Sequence, residues 1–104
     1  MDIELCYFNF SDPPSIKEAS VSIAKSWIGQ TVTLKCVSDG VPTPRLTWYK
    51  PDGSQINSVI DTQSTVNVKM NVDQYFGFYK CIAHNRLAVD FKIVKIQQIS
   101  MSFL

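Results

Sequence analysis

Four residues constrain this chain more than any others: Cys36, Trp48, Tyr79 and Cys81. Each sits in a short run of alternating apolar and polar residues, the period of a half-buried β-strand. In the run from Thr31 to Ser38, Val32, Leu34 and Cys36 share one face while Thr31, Thr33 and Lys35 share the other. From Arg45 to Lys50, Leu46 and Trp48 fall together on one side. From Gly77 to His84, Tyr79, Cys81 and Ala83 do the same. Parity therefore turns all four residues inward, with Trp48 twelve positions after Cys36 and Tyr79 two positions before Cys81.

The rest of the chain is also strand and turn, with no sustained helical period. Asp12-Pro13-Pro14-Ser15 fits an edge strand or a lead-in linker, because proline cannot donate to a central ladder. Val21 and Ile23 predict a short strand over 20–24. The stretch Asp39-Gly40-Val41-Pro42-Thr43-Pro44 reads as a loop, and Pro51-Asp52-Gly53 as a tight turn. Residues 54–63 are polar and carry no assignment. Strands follow over 65–70 and 89–97, the second with Phe91 and Ile93 on a common face, joined to the 77–84 strand by Asn85-Arg86-Leu87-Ala88. About seven strands result, the number and spacing of an all-β sandwich.

Composition removes several functions. The chain has 104 residues, enough for one domain, and a formal net charge of +1 with no charge blocks, which excludes a basic nucleic-acid footprint. No apolar run is long enough to insert in a membrane. His84 is the one histidine and no CxxC occurs, so no metal site or cofactor site is expected. No phosphate loop, HExxH or GxSxG motif is present, and Asp73 and Asp90 have no evident partner for acid–base chemistry, so no catalytic residue is assigned. Of the three cysteines, Cys6, Cys36 and Cys81, two can pair and leave one over, or all can be buried thiols.

The chain resembles the I-set group of immunoglobulin domains. The matching segments are VTLKC (32–36), GVPTP (40–44), LTWYK (46–50), GFYKC (77–81) and IAHN (82–85). The resemblance spans residues 12–98, leaving 1–11 as an N-terminal extension or linker and 99–104 as a tail. It implies a Greek-key β-sandwich of two antiparallel sheets, with seven to eight strands and a Cys36–Cys81 disulfide bridging them. Trp48, Tyr79, Leu34 and Val68 are then core residues. Closing a loop of 45 residues in this way stabilises by ~4 kcal/mol in the chain-entropy model. Two positions depart from the family. Tyr75 stands where an aspartate usually secures the corner before the second cysteine, the nearest acid being Asp73. Ala88 stands where a hairpin glycine is usual, at a cost of ~1 kcal/mol if the site needs positive φ.

What the resemblance implies for function is a protein-binding or spacer module of an extracellular or cell-surface adhesion, matrix or receptor protein. Its partner is another protein or a neighbouring domain of the same chain, homophilic contact included. The alternatives are an ectodomain piece of a receptor tyrosine kinase or phosphatase, and an intracellular structural module of a muscle-type filament protein. The outer face of one sheet is expected to display Thr47, Tyr49, Phe78, Lys80, Ile82 and His84, an apolar set for a solvent face. Tyr49, Phe78, Lys80 and Ile82 are the candidate binding residues, and His84 is a surface residue. Asn9-Phe10-Ser11 is an N-glycosylation sequon.

Overall fold

Residues 11–19 and 23–99 are described by the computed structural model of the chain, so Cys6 and Asn9 lie outside the described residues. Eight strands form: β1 (Asp12–Ala19), β2 (Ile23–Ser26), β3 (Thr31–Val41), β4 (Arg45–Tyr49), β5 (Gln55–Ile60), β6 (Gln63–Lys69), β7 (Gly77–His84) and β8 (Val89–Gln98). One sheet has the order β1-β3-β6 and the other β2-β8-β7-β4-β5. All pairings are antiparallel except β2 with β8, which run parallel. The two inner faces pack on each other to make the core of an immunoglobulin-like sandwich.

The core gathers where parity from both sheets converges. Leu34, Cys36, Leu46, Trp48, Tyr79 and Cys81 are fully buried, and Val68 nearly so. Cys36 and Cys81 are joined by a disulfide between the sheets, their Cα atoms 6.5 Å apart. Met70, Val94 and Ile96 complete the interior. Trp48 Nε1 is the one buried side-chain polar atom without a hydrogen-bond partner among the described residues. The indole is therefore held by its packing alone.

Several boundaries differ from the sequence expectation, each for a tertiary reason. The Asp39-Gly40-Val41 segment is strand, not loop, because β1 extends alongside it and pairs Asp12 with Val41. Gly40 is required there. Its φ is +141°, and a Cβ would stand 3.3 Å from both Pro14 Cα and Asn85 Nδ2. The unassigned 54–63 stretch forms β5 and the start of β6. β5 is an edge strand, half-buried along most of its length, so no clean alternation marks it. Of the strand expected over 20–24, residues 20–22 lie outside the described residues, and strand is described from Ile23 to Ser26. Pro13 and Pro14 lie in β1 at the sheet edge, where the pairing register shifts.

Both departures from the family pattern have local solutions. The corner before β7 is a single 3-10 turn, Asp73–Tyr75. Tyr79 Oη donates to the Tyr75 carbonyl oxygen at 2.5 Å, so the backbone of position 75 takes the bond whatever its side chain. Asp73 accepts from Gln98 Nε2 at 3.2 Å, tying the corner to β8. At the hairpin, no residue other than glycine has positive φ among the described residues, so Ala88 carries no glycine-like strain. Asn85 shapes the turn instead. Its Oδ1 accepts from the N–H groups of Leu87 (2.9 Å) and Ala88 (3.4 Å).

Candidate functional site: the outer face of the five-stranded sheet

Strand register assigns the outer face row by row, because directly paired residues point the same way. One row holds Arg45, Ile60, His84 and Val89. The next holds Thr47, Ser58, Ile82 and Phe91, and the third Tyr49, Gln55, Lys80 and Ile93. Phe78 pairs with Lys95, and Ile23 of β2 lies beside Lys95 from the other side. Six of the ten exposed large hydrophobics of the described residues therefore fall on this one face: Ile23, Ile60, Phe78, Val89, Phe91 and Ile93. Phe78 is 60% exposed and Phe91 52%. Ile60 is set apart by Arg45 and His84, and Ile23 by Lys95, but Phe78, Val89, Phe91 and Ile93 adjoin one another around the half-buried Ile82 on β7 and β8. Scattered exposed hydrophobics are ordinary on a protein surface, whereas such a cluster is not.

The expected residues fare differently. Phe78 and Lys80 stand exposed, while Tyr49 and Ile82 are half-buried between neighbours. Thr47 is not displayed: it is only 7% exposed, with Oγ1 2.9 Å from Ser58 Oγ on the adjacent strand. That is a correction to the expected outer face, and its cause is lateral crowding by β5, a strand the sequence did not reveal. His84 is exposed, and nothing beside it forms a catalytic set. Among the described residues no cluster of His, Cys, Asp or Glu could hold a metal. Phe91, Ile93, Val89 and Ile60 are members that sequence reasoning missed. The shared parity of Phe91 and Ile93 was legible, but the side they take depends on the pairing of β8 with β7.

Two lysines lie across the face. Lys80 Nζ is 5.4 Å from the Phe91 ring centroid, and Lys95 Nζ is 5.6 Å from that of Phe78. Each contact contributes about 0.5–1 kcal/mol at such an exposed position. At one end, beside the Pro51–Gly53 turn, the face dips into a hollow of about 310 Å³ lined by Tyr49, Phe78, Lys80, Ile82 and Ile93. The turn is closed by Asp52 Oδ1, which accepts from the N–H and Oγ of Ser54 at 2.8 and 2.6 Å. Those bonds, the side-chain one foremost, hold the Asp52 carboxyl below its ordinary pKa.

A two-sheet sandwich with an inter-sheet disulfide, a buried tryptophan and a tyrosine corner defines an immunoglobulin-type domain. Residues 13–85 match the family described as Immunoglobulin domain, and the chain belongs to that family. Domains of this family are structural or binding modules, and this chain is not an enzyme. Relatives include the limbic system-associated membrane protein of Rattus norvegicus, 30% identical over 85% of this chain and 27% of the relative. Immunoglobulin superfamily member 10 of Mus musculus is 35% identical over 86% of this chain and 4% of the relative. The chain thus spans about a quarter, or far less, of the relatives it matches. Among solved structures, a complex of Dpr11 IG1 bound to DIP-gamma matches with a TM-score of 0.66 and 28% identity, covering 83% of this chain and 47% of that one. The titin tandem domains A164-A165 match with a TM-score of 0.72 at 22% identity, over 86% of this chain and 49% of that one, a likeness of fold.

Proposed function

We propose that this immunoglobulin domain is an extracellular binding module that docks another protein on the outer face of its five-stranded sheet. The observation that carries this is the apolar cluster of Phe78, Ile82, Phe91 and Ile93 on the adjacent strands β7 and β8. Leaving such a surface in water forgoes about 25 cal/mol for every Å² of apolar area a partner would cover. Rigid aromatic and branched side chains on paired strands lose little entropy when they are covered, which suits them to the centre of an interface. The disulfide supports an oxidising location, and the relatives include a protein named for its membrane association. Tyr49, Phe78, Lys80 and Ile82 remain the candidate residues, joined now by Phe91 and Ile93.

Replacing Phe78, Phe91 and Ile93 together with serine is expected to abolish the association this face supports at high protein concentration, both the weak one with itself and the tighter one with a copy carrying K80E and K95E, read by analytical ultracentrifugation. Thermal melting should fall only modestly, because all three side chains are about half exposed and the two ring contacts contribute about 0.5–1 kcal/mol each. A triple variant that melts early but associates as before would show that these residues serve the sandwich and not a partner.

A further inference from the structure

The outer sheet face carries charge of one sign. Lys80 and Lys95 stand among its apolar residues, with Arg45 on β4 and Lys25 on the β2 edge. No carboxylate of the described residues stands on it. The acids nearest this sheet are engaged elsewhere. Asp52 is bonded to Ser54, Asp61 accepts from the Thr62 N–H at 2.6 Å, and Asp73 accepts from Gln98. Asp90 points to the opposite side of β8, where Oδ2 accepts from the Ile16 N–H at 2.8 Å. The two central cations are also held in place. The rings of Phe91 and Phe78 keep the Lys80 and Lys95 ammonium groups across the face, and neither lysine has an ion-pair partner among the described residues.

This arrangement discriminates between occupants. A second copy docked face to face would meet the same patch through a two-fold axis. It would bring lysines towards lysines inside an apolar contact that excludes water, where like charges repel most strongly. A surface with carboxylates over Lys80 and Lys95 would instead make charge-assisted hydrogen bonds to their ammonium groups. We infer that the face takes a different protein surface, apolar at its centre and bearing Asp or Glu opposite Lys80 and Lys95, and that a second copy is the disfavoured occupant. The inference rests on this face being the binding surface.

The charge-reversed copy carrying Lys80→Glu and Lys95→Glu is the probe, since it offers the same apolar face with acids in place of the two lysines. Sedimentation or calorimetry compares three pairs: the natural chain with itself, the variant with itself, and the mixture. The mixture should associate about tenfold or more tightly than either self-pair. That advantage should vanish near 1 M salt, where charges are screened beyond about 3 Å. The single Lys80→Glu variant should give an intermediate preference, and both variants should stay folded, with only a modest drop in melting temperature from the lost ring contacts. Self-association of the natural chain as tight as the mixture would overturn the charge inference and leave the binding face standing. Absence of association in all three pairs at millimolar concentration would overturn both.

Discussion

Asn85 joins three chain segments through one buried amide. Its Nδ2 donates to the carbonyl oxygens of Asp12 (2.8 Å) and Pro42 (3.1 Å), while Oδ1 organises the β7–β8 hairpin. It thereby pins the start of β1 and the β3–β4 loop to the hairpin, and packs against the backbone at Gly40. Asn85→Ala leaves these buried partners unpaired, at about 1 kcal/mol for each good bond. A loss of about 2–3 kcal/mol in urea denaturation is expected. Asn85→Asp keeps the acceptor for the hairpin but loses both donors, so it should be destabilising too. Stability close to the natural chain in Asn85→Asp would show that the Asp12 and Pro42 contacts matter little. The sequence displayed Asn85 only as part of a family-like segment. Its role depends on two backbone carbonyls that lie 73 and 43 positions away.

At the scale of an element, the corner before β7 shows a structural motif surviving the loss of its usual side chain. Gly77, with φ +136° and a Cβ position only 3.2 Å from the Pro51 ring, carries the chain out of the corner and into β7. Tyr79 then reaches back to the Tyr75 carbonyl. Burial, with smaller contributions from Tyr75 and Asp52, pushes the Tyr79 phenol up to about 12 from an ordinary value near 10. Because the folded state holds this proton more tightly, the associated stability is whole below pH 10. It is lost as pH rises from 10 through 12, where the unfolded chain releases the proton first. Tyr79→Phe should cost about 1 kcal/mol at neutral pH through the lost hydrogen bond. It should also flatten the fall in stability between pH 10 and 12 relative to the natural chain, measured by denaturant midpoints at each pH. Parallel curves for the two proteins across that window would refute the assignment.

For the whole molecule, the disulfide and the sheet order matter most. A domain of this size is stable by about 5–15 kcal/mol, so the ~4 kcal/mol from a 45-residue loop is a large share. Reduction under native conditions should lower the denaturant midpoint by a corresponding amount. The natural chain denatured without reductant should show one reactive thiol of its three cysteines, and three after reduction. Three thiols before reduction would place the protein in a reducing compartment and remove the extracellular reading. Sheet order has a separate consequence: it sets β8 beside β7 and so brings Val89, Phe91 and Ile93 onto the face that carries Phe78 and Ile82.

By itself the sequence determined the sandwich, its inward-facing Cys36, Trp48, Tyr79 and Cys81, and the apolar character of Phe78 and Ile82. Side-chain alternation is a local property of extended backbone, so it can be read along a single strand. Only the tertiary structure decided that Thr47 is covered, that Gln55–Ile60 forms a strand, and that Phe91 and Ile93 join Phe78. It also placed the acids away from Lys80 and Lys95, leaving a face of one charge. These depend on which strands lie side by side, and lateral pairing brings together residues whose separation in sequence carries no period.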